Sequence, residues 1–239
     1  MIEILQEYWL QYLGVGADGK LSGAAMTLWL LVLTFSLGLI GSIPLAVMRT
    51  SSNKFISKPV QVYTFVFRGT PLYVQLLIVY TGFFSLGFIR DTPLLADFFR
   101  SGFNCVVVAF GINICAYLTE VLAGAIRSIP SGEIEAARAF GFSKVKLYTK
   151  IILPSALKRA LPYYSNEVIL VLHSTSIAFV ATVPELLKVA RDVNSATYAS
   201  FSAFGIAGIF YAVIATVLVA SFRLFEKRSL TFLRPYSAH

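Results

Sequence analysis

Two carboxylates stand inside or at the edge of long apolar runs, Glu120 and Glu167, and His173 and Ser174 follow the second within about two helical turns. A charge at the centre of a bilayer costs about 2.5–3.5 kcal/mol, so such a carboxylate faces protein or water rather than lipid. Glu120 lies one or two turns from Arg127 and reads as a local hydrogen-bond or ion-pair group. Glu167 admits two readings. It bonds across helices to Asn166 or Gln75, or it is a fixed anion on a path for a cationic substrate. The chemistry on offer is attraction and passage, because groups for making and breaking bonds are missing. No serine sits in a GxSxG elbow, and His173 and His239 have no carboxylates at metal-ligand spacing. Cys105 and Cys115, ten positions apart, would lie about 15 Å from each other on a helix, too far for a disulfide, and read as packing residues. Gly14 to Lys20 nearly spells the phosphate loop GxxxxGK, but Leu21 stands where Ser or Thr must hold magnesium. The chain is therefore read as a non-enzyme that binds no nucleotide, metal or other cofactor itself.

The elements that must hold these groups follow from composition. Of 239 residues 57% are hydrophobic and 13% charged, with a mean hydropathy of +0.75. A soluble domain carries about 25% charged residues, so these could not cover a water-facing surface. A 14% aromatic content excludes disorder. This composition describes an integral membrane protein. A helix crosses the hydrocarbon core in about 20 residues, and five runs qualify: Leu21 to Met48, Gly69 to Ile89, Ser101 to Thr119, Ala160 to Pro184 with Glu167 as its one charge, and Val193 to Phe222. Alternating strands of a barrel do not appear. The expectation is an all-α membrane protein with about five transmembrane helices.

Lys and Arg favour the cytoplasmic side. Fifteen of the 20 basic residues fall in 49–68, 127–159 and 223–239, and five in the alternating segments 1–20, 90–100 and 185–192. The N-terminus is expected outside and the C-terminus inside. This distribution explains the net charge of +8 without invoking nucleic acid. The chain divides into an outer N-terminal segment (1–20), a five-span domain (21–222) and a cytoplasmic tail (223–239). In the first, Leu5, Tyr8, Trp9, Tyr12 and Leu13 recur at helical spacing, predicting an amphipathic helix on the membrane surface with aromatics at headgroup level. A second outer helix is predicted near Pro184, with Thr182 and Glu185 at capping-box spacing. Gly38, Gly41 and Pro44 in the first span suit close packing or a kink.

The loop between the third and fourth runs is long enough to need a task. Ser131 is a candidate N-cap, Glu133 and Glu135 suit the positive end of a helix dipole, and helix formers run to Phe140. Gly141 can end that helix in the left-handed conformation. Ser143 caps a second segment, Lys144 to Leu153, which Pro154 is expected to close. The pattern predicts a cytoplasmic helix-turn-helix over 131–154.

Glu135-Ala136-Ala137, three residues, Gly141, nine residues, then Ile151, Leu153 and Pro154 resembles the EAA-x3-G-x9-I-x-LP coupling loop of ABC importer membrane subunits, with every specified position matched. Arg68-Gly69-Thr70-Pro71-Leu72 with Gln75 resembles the RGTPL-x2-Q signature of polar amino-acid permeases. Ala116-Tyr117 with Glu120, Ser128-Ile129-Pro130, Asn166-Glu167 and Thr175-Ser176 fit the same family. His173-Ser174 stands where many members carry Lys-Asp. The stretch from Tyr164 to Ser176 is similar to permeases of importers for histidine and other basic amino acids. The resemblance implies a type I importer permease that moves polar, and on this stretch basic, amino acids across the inner membrane, with Glu167, Asn166, His173, Ser174, Thr70 and Gln75 on the substrate pathway. It implies that the loop's short helix docks in a cleft of a separate ATPase, two copies of which bind ATP and magnesium. Glu135 would cap its own helix or meet a basic group on the ATPase. Further implied partners are a second homologous permease, forming a heterodimer, and a periplasmic amino-acid-binding protein. A permease for another polar amino acid such as glutamine is the alternative. An ion-coupled secondary transporter would leave the loop unexplained, and it often shows internal repeats that this sequence lacks.

Overall fold

The computed structural model describes residues 1–16 and 18–229; residues 230–239 of the expected tail, with His239, lie outside the described residues. In chain order come α1 (Ile2–Leu13), α2 (Gly23–Arg49), α3 (Lys54–Gly69), α4 (Leu72–Leu77), a π turn (Ile78–Gly82), a 3-10 turn (Phe83–Ser85), α5 (Gly87–Arg90) and α6 (Pro93–Arg100). Then follow α7 (Gly102–Arg127), α8 (Ser131–Ala139), α9 (Lys144–Leu147), a π turn (Tyr148–Ile152), α10 (Leu153–Thr175), a 3-10 turn (Ser176–Ala181), α11 (Leu186–Thr197) and α12 (Ser200–Ser229). Among the described residues there is no strand beyond two isolated bridges, so the all-α expectation holds.

The membrane-crossing elements differ in detail from the charge-free runs. By length and composition α2, α7 and α12 can each cross a bilayer, and α3 with the segment Leu72–Ser85 makes a fourth if that bent pair counts as one span. The predicted run Ala160 to Pro184 forms most of α10 and the 3-10 turn behind it; α10 itself carries Lys158, Arg159 and Glu167. The predicted second span, Gly69 to Ile89, is corrected. Its helix begins at Lys54, capped by the Asn53 side chain, and breaks at Thr70-Pro71 with a bend of 101°. Pro71 has no N–H to give and pushes Thr70 into an extended conformation (ψ 144°), which ends α3.

Helix α7 is the centre of the bundle. In its most apolar stretch 61% of residues are buried, against 33% for α2 and 17% for α12, which leave most of their surface exposed. Gly38 lets α2 approach α7 closely: a Cβ there would lie 2.7 Å from the Ile114 side chain and 3.1 Å from the Cys115 backbone nitrogen. Gly38 and Gly41 thus serve packing, as expected. Glu120 on α7 finds Arg49 of α2 (Nε–Oε1 2.7 Å) and the Thr64 hydroxyl of α3 (2.7 Å), rather than forming a local pair with Arg127. The pair is about one-fifth exposed at each partner, and with Thr64 it ties the last residue of α2 to the C-terminal halves of α3 and α7.

A smaller core joins α1, α11 and α12. Tyr12 is fully buried, donates to Ala203 O (2.9 Å) and stacks on Phe210, so it is an internal anchor rather than a headgroup-level aromatic. Trp9 and Leu13 of the same helix remain exposed. The expected capping box is also corrected. Thr182 adopts a left-handed conformation (φ 61°), and Glu185 is the N-cap, accepting from Leu187 N (2.7 Å) and Lys188 N (2.8 Å). Its carboxylate accepts further from Tyr211 Oη of α12 (2.8 Å), while Leu186 N donates to Thr27 Oγ1 of α2.

Glu185 lies beyond the fourth apolar run and is fully buried. Burial pushes its carboxyl up to about 7, although its three donors and Lys188 pull the other way. An unfolded glutamate titrates near 4.5, so between these values the folded chain holds a proton that the unfolded chain has lost. That contribution to stability is full below about 4.5 and is lost as pH rises through about 7. Thermal midpoints of the detergent-solubilised protein should fall over this window, and Glu185→Gln should flatten the slope. An equal slope in the variant would contradict this assignment.

Candidate functional site

The break in the second span creates the site. Stopping a helix inside a membrane frees backbone carbonyls, which must be satisfied by protein because lipid offers no donors. Gln75 Nε2 donates to Phe67 O (2.9 Å), Thr70 O (3.1 Å) and Thr70 Oγ1 (2.7 Å). Asn113 of α7 donates to Phe67 O (2.8 Å) and to Gln75 Oε1 (3.1 Å), and Tyr117 Oη reaches Arg68 O (3.3 Å). One turn of α7 thus braces the break. The Thr70 hydroxyl closes the end of α3 by bonding Val66 O (2.8 Å).

Beside the break lies a cavity of about 570 Å³, lined by 68–72, by Asn113, Ile114 and Tyr117 of α7, and by the C-terminal half of α10 with the start of the 3-10 turn. Of the six residues expected on the pathway, Glu167, His173, Ser174 and Thr70 line this cavity. Asn166 is exposed and does not line it, and Gln75 is buried behind the break as its brace. The expected bond from Glu167 to Asn166 or Gln75 is not formed; among the described residues Glu167 has no hydrogen-bond partner. The sequence reading missed Arg68, Asn113 and Tyr117 as lining groups. Arg68 opens the RGTPL motif, and its guanidinium stacks over the Tyr117 ring at 5.1 Å. One cation and one carboxylate therefore face a single cavity.

The loop forms a second surface. Helix α8 begins at Ser131 with Pro130 at its N-cap, one residue earlier than expected, and ends at Ala139. Gly141 has φ +75°, the left-handed turn anticipated for it, and Ser143 caps α9 by accepting from Lys146 N. Pro154 does not close the second segment. The π turn widens the helix so that Leu153 N bonds Tyr148 O, and Pro154 sits in the first turn of α10, where its missing N–H is tolerated. The loop is thus continuous with α10. Arg159 near the base of α10 pairs with Glu133 of α8 (3.1 Å), a second tie between them. Ala136, Ala137 and Ile151, with Glu133, Phe140 and Phe142, line a hollow of about 580 Å³. Glu135 and Gly141 are exposed, Leu153 is half-buried, and Phe140 and Val145 show 85% and 74% of their surface.

A helical membrane bundle with a cavity at a broken helix, and a projecting helical loop with bare apolar residues, is an architecture that suits a transport component. The chain belongs to the family of binding-protein-dependent transport system inner membrane components, which matches residues 38–230. It is 57% identical over 240 aligned positions, covering both chains fully, to the histidine/lysine/arginine/ornithine transport system permease protein HisM of Escherichia coli (strain K12). It is 37% identical over 206 positions (86% of this chain, 84% of the relative) to the octopine transport system permease protein OccM of Rhizobium radiobacter. Among solved structures, an amino acid ABC transporter with histidines superposes with a TM-score of 0.78 at 30% identity, covering 95% of this chain and 97% of that one. The inward-facing MetNI methionine ABC transporter, at 16% identity and TM-score 0.74 over 94% and 98% of the two chains, shares the fold.

Gly141→Val forces a β-branched side chain into a positive-φ turn, at a local cost of at least about 1 kcal/mol. The variant should insert normally into membranes but lose attachment of its ATPase, or lose transport-stimulated ATP hydrolysis. Wild-type transport by this variant would reduce the loop to a connector.

Proposed function

We propose that the chain is the permease subunit of an ATP-driven importer for amino acids with cationic side chains, namely histidine, arginine, lysine and ornithine. The reading rests above all on one cavity lined by both Arg68 and Glu167. A basic amino acid carries a carboxylate at one end and a cation at the other, and these two side chains complement that pair. His173 in place of a lysine removes a charge that would repel the substrate. The names of the most similar relatives support the same class.

In this reading the chain works beside a homologous permease, two ATPase subunits that hold ATP and magnesium, and a periplasmic binding protein that delivers substrate. Its N-terminus lies outside, its C-terminus and the loop inside, in the division 1–20, 21–222 and 223–239. ATP binding moves the ATPase clefts, and 131–154 carries that motion into α10, which also bears Glu167, His173 and Ser174. Glu135, Ala136, Ala137, Gly141, Ile151, Leu153 and Pro154 shape the coupling surface. Transport then follows as rocking of the helices about the cavity.

At about 4 Å and an effective dielectric near 20, a carboxylate and a cation attract by about 4 kcal/mol, most of which desolvation cancels. The 1–2 kcal/mol or so that survives corresponds to about tenfold in affinity. Glu167→Gln should therefore lower arginine transport by about tenfold in proteoliposomes while the complex still assembles and binds ATP. Histidine, largely neutral at about pH 7.5, should suffer less, and the gap should close at about pH 5.5. Unchanged arginine transport would take Glu167 off the pathway.

A further inference from the structure

On the loop side of the break a separate hollow of about 390 Å³ opens between the ends of α2, α3 and α7. Its charged walls are Arg49, Lys58 and Arg68 against a single carboxylate, Glu120, which leaves the hollow with an excess of positive charge. Arg49 uses its Nε for Glu120, and the remaining guanidinium donors stay available. Lys58 is exposed, and no carboxylate pairs with it among the described residues.

Beyond Lys58, the same face of α3 turns apolar. Lys58, Val62 and Phe65 recur at helical spacing on one face of α3, and Val62 and Phe65 are 60% and 78% exposed. The cations Arg49 and Lys58 stand at the last residue of α2 and in the second turn of α3. Phe65 lies about 10 Å further along α3 from Lys58. The hollow is therefore cationic at Arg49 and Lys58 and apolar along Val62 and Phe65, with Arg68 about one turn beyond Phe65 beside the break. A soluble anion would satisfy the first property and leave the second bare. Gln61, between the two zones, offers an amide to oxygens of a linker.

We propose that this hollow binds an anionic phospholipid of the inner leaflet, its phosphodiester against Arg49 and Lys58 and an acyl chain along Val62 and Phe65. Basic pockets between membrane helices on the cytoplasmic side recognise lipid headgroups in this way. The bound lipid fills the hollow beside the Arg49–Glu120–Thr64 tie, and so steadies the half-span that leads into the break. The inference rests on the orientation proposed above, which labelling of a cysteine placed at Ser143 from each side of the membrane tests independently.

The test uses the full chain purified in detergent and reconstituted in nanodiscs of phosphatidylcholine, with or without phosphatidylglycerol. Retained lipid is counted by native mass spectrometry and the thermal midpoint is recorded. Phosphatidylglycerol should be retained and should raise the midpoint. Lys58→Gln should weaken retention about fivefold, the equivalent of about 1 kcal/mol for one lysine at the surface. Lys54→Gln, an exposed lysine on the same helix outside the hollow, should leave it unchanged. Equal losses in the two variants would mean diffuse attraction to the membrane and overturn the site. No preference for phosphatidylglycerol in the wild type would overturn it as well. A midpoint rise with inorganic phosphate in phosphatidylcholine alone would make it a free-anion site and refute the lipid assignment.

Discussion

The structure depends on how a helix can stop inside a membrane. Pro71 ends α3 within an apolar stretch, and the freed carbonyls of Phe67 and Thr70 find donors within the protein. Gln75 and Asn113 provide them, with Tyr117 covering Arg68 O. The same groups fix the bend of 101° that opens the cavity. Gln75 comes from α4, just past the break, and Asn113 and Tyr117 from α7, so the most buried helix of the bundle helps to hold the site in shape. The close approach of α2 at Gly38 and the Arg49–Glu120–Thr64 tie then set α7 against its neighbours.

Cavity and loop communicate through α10. Its C-terminal half carries Glu167, His173 and Ser174, and its base is welded to the loop by the π turn at Tyr148–Ile152 and by the Glu133–Arg159 pair. A displacement of α8 therefore reaches the cavity wall along one continuous helix. The exposed Phe140 and Val145 on the loop are costly in water, and they become understandable as surface that another protein covers.

Features that rest on local composition were legible in the sequence. Charge-free runs gave α2, α7 and α12, and the turn at Gly141 and the cap at Ser143 followed from single residues. What depended on partners distant in sequence was not. The run Gly69 to Ile89 is apolar enough for a span, and its break was signalled by Pro71 alone. Glu120 read as a local hydrogen-bond or ion-pair group, and three-helix packing gives it that role with the distant Arg49 and Thr64. Pro154 read as a stop because a π turn, which accommodates it, leaves no mark in composition. Within the site, Glu167, His173 and Ser174 were visible as polar residues in apolar context, and Thr70 through its place in the RGTPL motif. Asn113 and Tyr117 lie in a run that looks like plain core, and only the fold brings them to the break. Gln75 was visible as a polar residue, but the fold gives it the task of brace.

If the braced break is what makes the cavity, removing the brace must remove substrate binding without dismantling the complex. The most direct measurement is equilibrium binding of radiolabelled arginine to the purified, ATPase-bound transporter carrying Gln75→Leu. Each carbonyl left unpaired costs about 1–3 kcal/mol, so the account predicts at least about a tenfold loss of arginine affinity with the ATPase still attached. Arginine binding equal to the wild type, in a complex that assembles normally, would contradict it.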